Sequence, residues 1–474
     1  MPRPRRNLGY PVNGVAMEVL RLSKKGMVDI SRPTTRPPVA IDSLARHAGR
    51  ATRKMRVLTF TTLFPNNIWP RQGVFIKERM SHVARLGGCD VTVVAPVPYF
   101  PPIRVSQRQR FRQVEYEEMI DGFQVFHPRY FMVPKVGMTS YGVTMFLSVA
   151  SLVRRIQRRF DFDLIDAHYA YPDGLAAVLL GRLCRKPVVL SARGSDINVF
   201  GKMLLIRRLI RYTLRQADAI IAVSDALKER IVDLGLPGER VAVISNGVDT
   251  RKFCAVDRDE ARTALGFLGG RLLLSVGNLL PIKGFDVLIA ALKILVERGL
   301  PSDVRLVIVG DGPERRRLKA LVSQARLQER VSFVGEVPQE QLRLWYNAAD
   351  VFCLTSRSEG CPNVVLEAIA CGTPVVASAV GGVPEIIQSE LNGLLCRGRP
   401  SELADAIERA LSNRWDPVRI ASQARERYSW DERVRGVVEV FRSVVGPTPA
   451  PVSEAEPQRR AGSPTVRGAG VHDD

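Results

Sequence analysis

The chain has 474 residues, of which 46% are hydrophobic and 25% charged, the balance of a globular protein with room for two sizeable cores. No apolar run reaches the roughly 18–20 residues that a membrane-spanning helix needs. The seven cysteines form no Cys-x-x-Cys pair, and no secretory signal is visible. A transmembrane protein and a disulfide-rich or collagen-like chain are therefore excluded. We expect reduced thiols, no structural zinc and a cytoplasmic protein.

The net charge of +21 is concentrated in the first half of the chain. Basic residues outnumber acidic ones by 9 in residues 1–54, by 10 in residues 55–250 and by 2 in the remainder. Such a field favours a polyanionic partner, such as anionic lipid, nucleic acid or a phosphorylated substrate, although an arginine-rich proteome would also raise the charge. The chain has no RNA-recognition, helix-turn-helix or zinc-finger pattern, so we do not expect it to bind nucleic acid.

In chain order, residues 1–54 form a basic arm that is rich in Arg and Pro and has weak apolar periodicity, which predicts disorder. Short apolar runs then alternate with amphipathic stretches, as in parallel β-α-β units covered on both faces. The first set of predicted strands lies at residues 55–60, 91–95, 164–167, 187–191, 219–223 and 241–244.

The strand–helix alternation restarts after a junction near residues 246–253. The second set of predicted strands lies at residues 272–277, 304–309, 331–334, 351–354 and 374–377. We therefore predict two doubly wound α/β domains, residues 55–248 and 249–430, facing each other across a cleft where ligands bind. A last helix, residues 431–445, could cross back to the first domain, and residues 446–474 are predicted to be a disordered tail.

The strongest local pattern is S-E-G-C-P-N-V-V-L-E-A-I-A-C-G over residues 358–372. It predicts a loop, then a helix that Gly372 ends, with free N–H groups from residue 360 to 364 forming an anion site suited to a phosphate. Glu359 and Glu367 would flank this site and accept hydroxyl protons from a sugar and a ribose. The alternative is a surface helix with capping glutamates. The residues that would form the anion site are Gly360, Cys361, Pro362, Asn363 and Val364.

A second pattern, G-N-L-L-P-I-K-G over residues 277–284, places Lys283 in a glycine-flanked loop after a strand. A lysine there could neutralise a diphosphate, although an ordinary exposed lysine would fit the same pattern. G-D-G-P at residues 310–313 and Gly335-Glu336 end two further strands and would form a rim that holds a base.

Taken together, G-N-L-x-x-x-K-G, G-D-G-P, F-V-G-x-V and S-E-G-x-x-N-V-x-L-E-A-x-A-C-G-T-P-V-V-A resemble the retaining glycosyltransferases of family 4, which have the GT-B fold. The similarity is greatest to bacterial enzymes of the teichuronic-acid type. It implies that Glu359 holds the donor sugar, Glu367 the ribose and Lys283 the diphosphate, with no metal and no cofactor. Many members have arginine where Asn278 stands, which leaves Lys283 as the main cationic ligand.

The same resemblance extends to the first domain. Gly73 and Arg71 match a loop that reaches the donor phosphates and the acceptor. His168 matches the active-site histidine of the family, although a strand-end histidine is more often structural. Arg193 and Asp196 match the next cleft loop and are candidate contacts of the acceptor or of a phosphate, and residues 245–249 match the interdomain hinge.

Two other sequence patterns give weaker evidence about function. Asp161-Phe162-Asp163 mimics the D-x-D metal motif of another glycosyltransferase fold, but we interpret it as a solvated turn before a strand. The apolar run over residues 141–153 is followed by four arginines and could rest on anionic lipid. A buried helix with a charged end fits that run equally well.

We therefore expect a retaining hexosyltransferase of the cytoplasm, peripheral to the inner face of the cell membrane. It would use a nucleoside diphosphate sugar and extend a lipid-linked surface glycan or exopolysaccharide of the cell envelope. One alternative is a nucleotide-sugar 2-epimerase, which would change donor stereochemistry with no acceptor present. The other is a non-catalytic partner subunit that binds the donor without turnover.

Overall fold

The computed structural model of the protein describes residues 53–100, 110–132, 137–267 and 269–446. Of the predicted basic arm, only Arg53 and Lys54 fall within these ranges, and of the predicted tail only Gly446 does. The predictions of disorder for the two termini therefore lie outside the described residues.

The first lobe is built on a sheet whose described strands run in the order β10-β9-β8-β7-β1-β2-β5-β4. All neighbours pair in parallel except β4 and β5, and β3 and β6 form a separate parallel pair. The strands are β1 Met55–Phe60, β2 Cys89–Val94, β3 Val97–Tyr99, β4 Glu117–Ile120, β5 Phe123–Phe126, β6 Arg129–Phe131, β7 Leu164–His168, β8 Val188–Ala192, β9 Ala219–Ala222 and β10 Val241–Val243. The sequence does not predict β3 to β6, because these short strands carry no continuous apolar run.

Helices cover both faces of this sheet, and β7 and β8 are accordingly buried along their whole length. On one face α3 lies between α2 and α5. The helices are α1 Val74–Leu86, α2 Tyr141–Phe160, α3 Asp173–Cys184, α4 Ser195–Asn198, α5 Leu204–Gln216 and α6 Asp225–Val232.

The second lobe is a wholly parallel sheet in the order β13-β12-β11-β14-β15-β16. Its strands are β11 Arg271–Val276, β12 Val304–Val309, β13 Val331–Gly335, β14 Val351–Leu354, β15 Val375–Ser378 and β16 Gly393–Cys396. Its helices are α7 Arg258–Ala264, α8 Phe285–Glu297, α9 Arg315–Gln324, α10 Gln339–Ala348, α11 Asn363–Ala370, α12 Val383–Ile386, α13 Pro400–Ser412 and α14 Pro417–Tyr428. The predicted pair of doubly wound α/β sheets is confirmed.

The last helix, α15 Trp430–Val445, packs against α1 and shares its buried core with the first lobe. Trp430 stacks on His82 of α1 with ring centroids 5.5 Å apart. The indole also lies against the linker, since a Cβ on Gly247 would lie 2.5 Å from the ring. The chain therefore passes between the lobes twice, once at residues 244–257 and once at α15, which limits how they can move relative to each other.

All seven cysteines are free thiols. No described helix is long and apolar enough to cross a membrane. Asp161 and Asp163 lie at the amino-terminal end of β7, away from the strand ends that form the cleft, and contact Arg56 and Arg53. Within the described ranges no group of His, Cys, Asp or Glu residues is placed to hold a metal ion.

Candidate active site

The two lobes meet at backbone level where the loop after β8 touches the loop before α11. A Cβ on Gly194 would lie 2.9 Å from the Cα of Gly360, and a Cβ on Gly360 would lie 2.3 Å from the carbonyl oxygen of Arg193. Only glycine permits this approach. The carboxyl ends of the parallel strands of both sheets therefore face one cleft, as predicted for this architecture.

The first turn of α11 offers unpaired backbone donors at this cleft. Pro362 precedes the helix as its N-cap and has no N–H to contribute. Gly360, Cys361, Asn363 and Val364 have N–H groups that reach no acceptor among the described residues. Together with the positive end of the helix dipole, these groups form a site for an anion. We call these four N–H groups the amide nest.

Beside the amide nest, Lys283 and Glu359 form a close ion pair. The Lys283 Nζ and the Glu359 Oε1 are 2.6 Å apart, and the two side chains are 27% and 11% exposed. Lys283 ends a short 3-10 turn, and the next residue, Gly284, has φ 66°. A Cβ on Gly284 would lie 2.0 Å from the carbonyl oxygen of Thr355, whose hydroxyl donates to the Gly284 carbonyl over 2.9 Å. The loop that carries Lys283 is thus held against the loop after β14. This contact brings Lys283, predicted to bind the diphosphate, next to Glu359, predicted to bind the sugar.

Glu367 lies about one turn into α11 and is half-buried. The hydroxyl of Tyr346 donates to its Oε2 over 2.8 Å, whereas its Oε1 makes no hydrogen bond to any described residue. Burial raises the pKa of Glu367 to about 7, although the hydrogen bond from Tyr346 partly opposes that rise. Near neutral pH this carboxyl group therefore changes charge, and one of its oxygens can accept hydrogen bonds from a ligand.

The glycine-rich segment that follows β15 supports the loop carrying Glu359 from behind. A Cβ on Gly381 would lie 1.9 Å from the Glu359 carbonyl oxygen, and the Gly382 N–H donates to the Gly360 carbonyl over 3.1 Å. The carboxylate of Glu385 then accepts from the N–H groups of Asp225 and Ala226 at the start of α6, over 2.9 Å each. The two glycines thus hold the loop that carries Glu359 in place, and Glu385 caps the first-lobe helix α6.

Two predicted donor residues lie at the rim of the second lobe. Asn278 is exposed, and its side chain makes no hydrogen bond to any part of the chain that the structure describes. Gly335 ends β13 with φ 90°, and a Cβ there would lie 3.5 Å from the guanidinium of Arg315. Arg315 also contacts the Asp311 carboxylate at 3.2 Å, so it places at the rim a positive charge that no sequence motif indicated.

From the first lobe, the predicted loop after β1 reaches the same cleft. Gly73, with φ 63°, precedes α1, and a Cβ there would lie 2.1 Å from the Leu63 carbonyl oxygen. Arg71 extends across the cleft to Glu336 of the second lobe, with 3.4 Å between nitrogen and oxygen. Both side chains are about half exposed, so this pair is weak and easily opened by a ligand.

His168 is fully buried at the end of β7. Its Nδ1 lies 2.6 Å from the Nη2 of Arg193, and its Nε2 lies 3.0 Å from the Asp166 carboxylate. A guanidinium only donates, so Nδ1 accepts and the proton resides on Nε2. Burial lowers the pKa of His168 to about 4, so the ring is neutral at pH 7. In this position His168 touches protein groups on both sides, and its catalytic role stays a prediction.

Asp196 is also fully buried, and backbone donors surround its carboxylate. It accepts from the N–H groups of Ala170, Arg193 and Gly194 at 2.8–3.1 Å. These hydrogen bonds mean that Asp196 stabilises the loop after β8. Its contact with an acceptor stays a prediction. Arg193 is half-buried and donates to Asn246 in the linker over 3.0 Å.

Besides Arg315, sequence reasoning missed contacts of three further residues at this cleft. Tyr346 lies in α10 and Glu385 in the short helix α12, and neither helix carries a distinctive motif, so only the folded chain reveals their partners. Asn246 falls within the segment predicted to be a hinge, but its hydrogen bonds to both lobes could not be inferred from that match.

The fold and this cleft define a class of protein, the glycosyltransferases of GT-B fold. The profile for "Glycosyl transferases group 1" matches residues 257–427, and that for "Glycosyltransferase Family 4" matches residues 72–252. A Bacillus subtilis protein, TuaC, which is named as a teichuronic acid biosynthesis glycosyltransferase, is 32% identical over 75% of this chain and 89% of its own length. The chain therefore belongs to glycosyltransferase family 4.

Further relatives agree with this assignment. The N-acetyl-alpha-D-glucosaminyl L-malate synthase of Bacillus anthracis is 29% identical over 63% of this chain and 78% of its own length. Among solved structures, the sucrose-phosphate synthase of Thermosynechococcus elongatus superposes with a TM-score of 0.66 at 20% identity, covering 82% of this chain and 99% of its own. The Anabaena protein HepE in complex with UDP gives 0.63 at 21% identity, covering 82% and 100%. The structural matches confirm the GT-B fold.

Proposed function

We propose that the protein transfers a hexosyl unit, with retention of anomeric configuration, from a nucleoside diphosphate sugar to a lipid-linked glycan acceptor. The observation that carries the proposal is the composition of one loop and helix: an amide nest with a lysine–glutamate pair on one side and a half-buried glutamate on the other. The lysine–glutamate pair suits the sugar, the amide nest the diphosphate and the half-buried glutamate the ribose, which is the order of these groups in a nucleoside diphosphate sugar.

Negative charge on the leaving diphosphate is the feature of the reaction that this site can stabilise. As the glycosidic bond breaks, the bridging oxygen gains charge, and donors already oriented towards it lower the barrier without rearranging. Lys283 and the amide nest supply such donors. Glu359, released from Lys283 by the diphosphate, can then accept hydrogen bonds from the hydroxyls of the sugar.

Retention through a covalent glycosyl-enzyme intermediate would need a free carboxylate facing the sugar. The first-lobe carboxylates Asp166, Asp173 and Asp196 are all fully buried and already contact protein groups. Glu359 is assigned above to the hydroxyls of the sugar. We therefore propose attack by the acceptor on the same face as the departing diphosphate. In this step the acceptor oxygen forms a bond to the anomeric carbon, the bond to the phosphate oxygen breaks, and the leaving phosphate takes the proton of the acceptor.

A screen of UDP-, GDP- and ADP-sugars by thermal shift tests donor binding, because a ligand of the native state raises its melting temperature. The donor that binds is then incubated with and without a glycan acceptor, and the anomeric configuration of the product is read by NMR. We expect acceptor-dependent transfer with retention. Epimerisation without acceptor, or binding without any turnover, would instead support one of the two alternatives.

The pH dependence of donor affinity should follow the carboxyl group of Glu367. Its pKa of about 7 means that lowering the pH protonates it and removes a hydrogen-bond acceptor for the ribose. If the bound donor requires the ionised form, affinity should weaken about tenfold from pH 8 to pH 6. Titration calorimetry with a sugar nucleotide, whose diphosphate does not titrate in this range, measures the effect. Glu367→Gln should show a flat profile, and a tenfold change in that variant would contradict the assignment.

We further propose that the first lobe docks on an anionic membrane surface through α5. Its arginines 207, 208 and 215 are exposed and Arg211 is partly buried, and none of the four forms an ion pair with described residues. Leu204 and Leu205 beside them are 80% and 49% exposed. The run over residues 141–153, in contrast, buries most of its apolar side chains within the lobe, with Val143 and Leu147 left exposed. The surface of α5 is thus the better candidate for contact with lipid.

Co-sedimentation with vesicles tests this surface. The protein should bind vesicles that contain phosphatidylglycerol and not vesicles of pure phosphatidylcholine. Because each basic residue near an anionic surface contributes about 1 kcal/mol, Arg207→Gln with Arg208→Gln should weaken binding at least about tenfold. Arg419→Gln with Arg425→Gln on α14 removes the same charge from the second lobe and should have little effect. Equal losses in both pairs would contradict docking through α5.

A further inference from the structure

We propose that Arg193 and Asn246 are positioning residues that orient the side chain of Asn363 towards the donor diphosphate, so that a first-lobe arginine helps to build an anion site in the second lobe. We call Arg193, Asn246 and Asn363 the interlobe relay. The proposal rests on the donor site described above and adds to it two residues outside the amide nest.

The direction of the relay follows from which groups can donate. The Nη1 of Arg193 lies 3.0 Å from the Oδ1 of Asn246, and because a guanidinium has no acceptor, this contact fixes the amide orientation of Asn246. The Nδ2 of Asn246 must then face the second lobe. There it donates to the Cys361 carbonyl over 3.0 Å and to the Oδ1 of Asn363 over 2.8 Å.

The side chain of Asn363, the last member of the relay, can therefore only donate hydrogen bonds to a ligand. The Oδ1 of Asn363 is occupied by Asn246, and its Nδ2 makes no hydrogen bond with any residue in the described ranges. Asn363 is the first residue of α11 and contributes one of the free backbone N–H groups of the amide nest. An Nδ2 group next to the nest would add two donors for an anion. The reversed amide would instead present an oxygen, which repels a phosphate.

Two further contacts within the first lobe hold the side chain of Arg193 in place. Its Nη2 donates to the Nδ1 of the neutral His168 over 2.6 Å, and its guanidinium carbon lies 5.4 Å from the centre of the Phe75 ring. Behind His168, the buried Asp166 contacts both the imidazole and Arg79, at 3.0 and 3.9 Å. These contacts leave the guanidinium little freedom. They also give the buried histidine a structural reason for its position.

Because the relay runs through the linker and both lobes, it is complete only when the lobes lie in this relative position. Separation of the lobes would break the contact between Asn246 and either Arg193 or Asn363. The amide of Asn363 could then turn freely, and the anion site would lose two oriented donors. Closure of the cleft and recognition of the diphosphate are therefore coupled through these hydrogen bonds.

The variant Asn246→Asp tests the relay with almost no change of shape. A carboxylate at this position still accepts from Arg193 but cannot donate to Cys361 or Asn363, so Asn363 should turn its Nδ2 away from the nest. Titration calorimetry with UDP, GDP and ADP should show about tenfold weaker binding of the nucleotide that the wild-type protein prefers. The KM for the acceptor should not change. Asn392→Asp is the matched control, since Asn392 is a buried asparagine with backbone partners in the second lobe.

A double-mutant cycle separates a relay from two independent contacts. Arg193→Met alone should also weaken nucleotide binding about tenfold, and Arg193→Met with Asn246→Asp should bind no more weakly than the poorer single variant. A hundredfold loss in the double variant, or unchanged affinity in a folded Asn246→Asp protein, would overturn the relay. A wild-type protein that binds none of the three nucleotides would overturn the proposed function as well.

Discussion

Replacing Lys283 with methionine is expected to lower kcat/KM for glycosyl transfer by about 10²–10³-fold, because an oriented cation next to the leaving diphosphate stabilises charge that develops only in the transition state. The methionine keeps most of the volume of the side chain, so the loop between β11 and α8 should stay folded. The comparison requires steady-state transfer rates with the donor that the thermal-shift screen identifies. Ground-state binding of the donor should weaken far less than kcat.

The matched control is Lys293→Met on the neighbouring helix α8. Lys293 is exposed, and its one ion pair among the described residues is with Glu297, at 3.5 Å, so its loss removes the same charge without touching the cleft. Because Lys283→Met also leaves the nearly buried Glu359 unpaired, Lys283→Met with Glu359→Gln should restore thermal stability without restoring transfer. A decrease in kcat/KM of less than threefold in Lys283→Met would contradict the assignment of Lys283 to the active site.

The substitution Gly360→Ala should lower the rate of glycosyl transfer about as much as Lys283→Met does, but for a steric reason. Its Cβ would lie 2.3 Å from the Arg193 carbonyl oxygen and 3.2 Å from a methyl group of Val223, so the lobes would have to move apart. The amide nest would shift with them, and we expect transfer to fall by about 10²-fold, since misplacement of a site by about 1 Å has that effect. The free energy of unfolding should fall by about 1–3 kcal/mol.

Gly238→Ala is the control for this substitution. Gly238 lies in the first lobe with its nearest neighbour, a methyl group of Val232, at 3.5 Å from the added Cβ, an ordinary contact. Its transfer activity should therefore match that of the wild-type protein. Circular dichroism of both variants measures whether the lobes stay folded. Full activity in a folded Gly360→Ala protein would mean that the close approach of the two loops is not needed for catalysis.

The loop and helix predicted to bind the donor could be located from sequence because their parts are local. Glu359, the free N–H groups and Glu367 all lie on one loop and one helix, and helix geometry fixes their relative positions. The contact between Lys283 and Glu359 joins residues 76 positions apart, and the spacing of neither motif revealed it. The hydrogen bond from Tyr346 to Glu367 likewise depends on how α10 packs beside α11.

The first-lobe residues were less predictable, because burial decides what they can touch. His168 ends a strand and Asp196 lies just after another at the edge of the cleft, as the sequence indicates, yet neither has any exposed surface. A strand-end position specifies the edge of the sheet and leaves open whether neighbouring loops cover the side chain. The same holds for residues 141–153, whose apolar side chains serve the interior of the lobe more than its surface.

By itself, the sequence determined the two α/β lobes and the chemistry of the loop that begins α11, since hydrophobic periodicity, glycines and carboxylates act over a few neighbouring residues. Tertiary structure alone decided that Lys283 pairs with Glu359 and that Arg193 reaches Asn363 through Asn246. These contacts join distant segments. They depend on how two separately folded sheets pack against each other, and no short stretch of sequence encodes that arrangement.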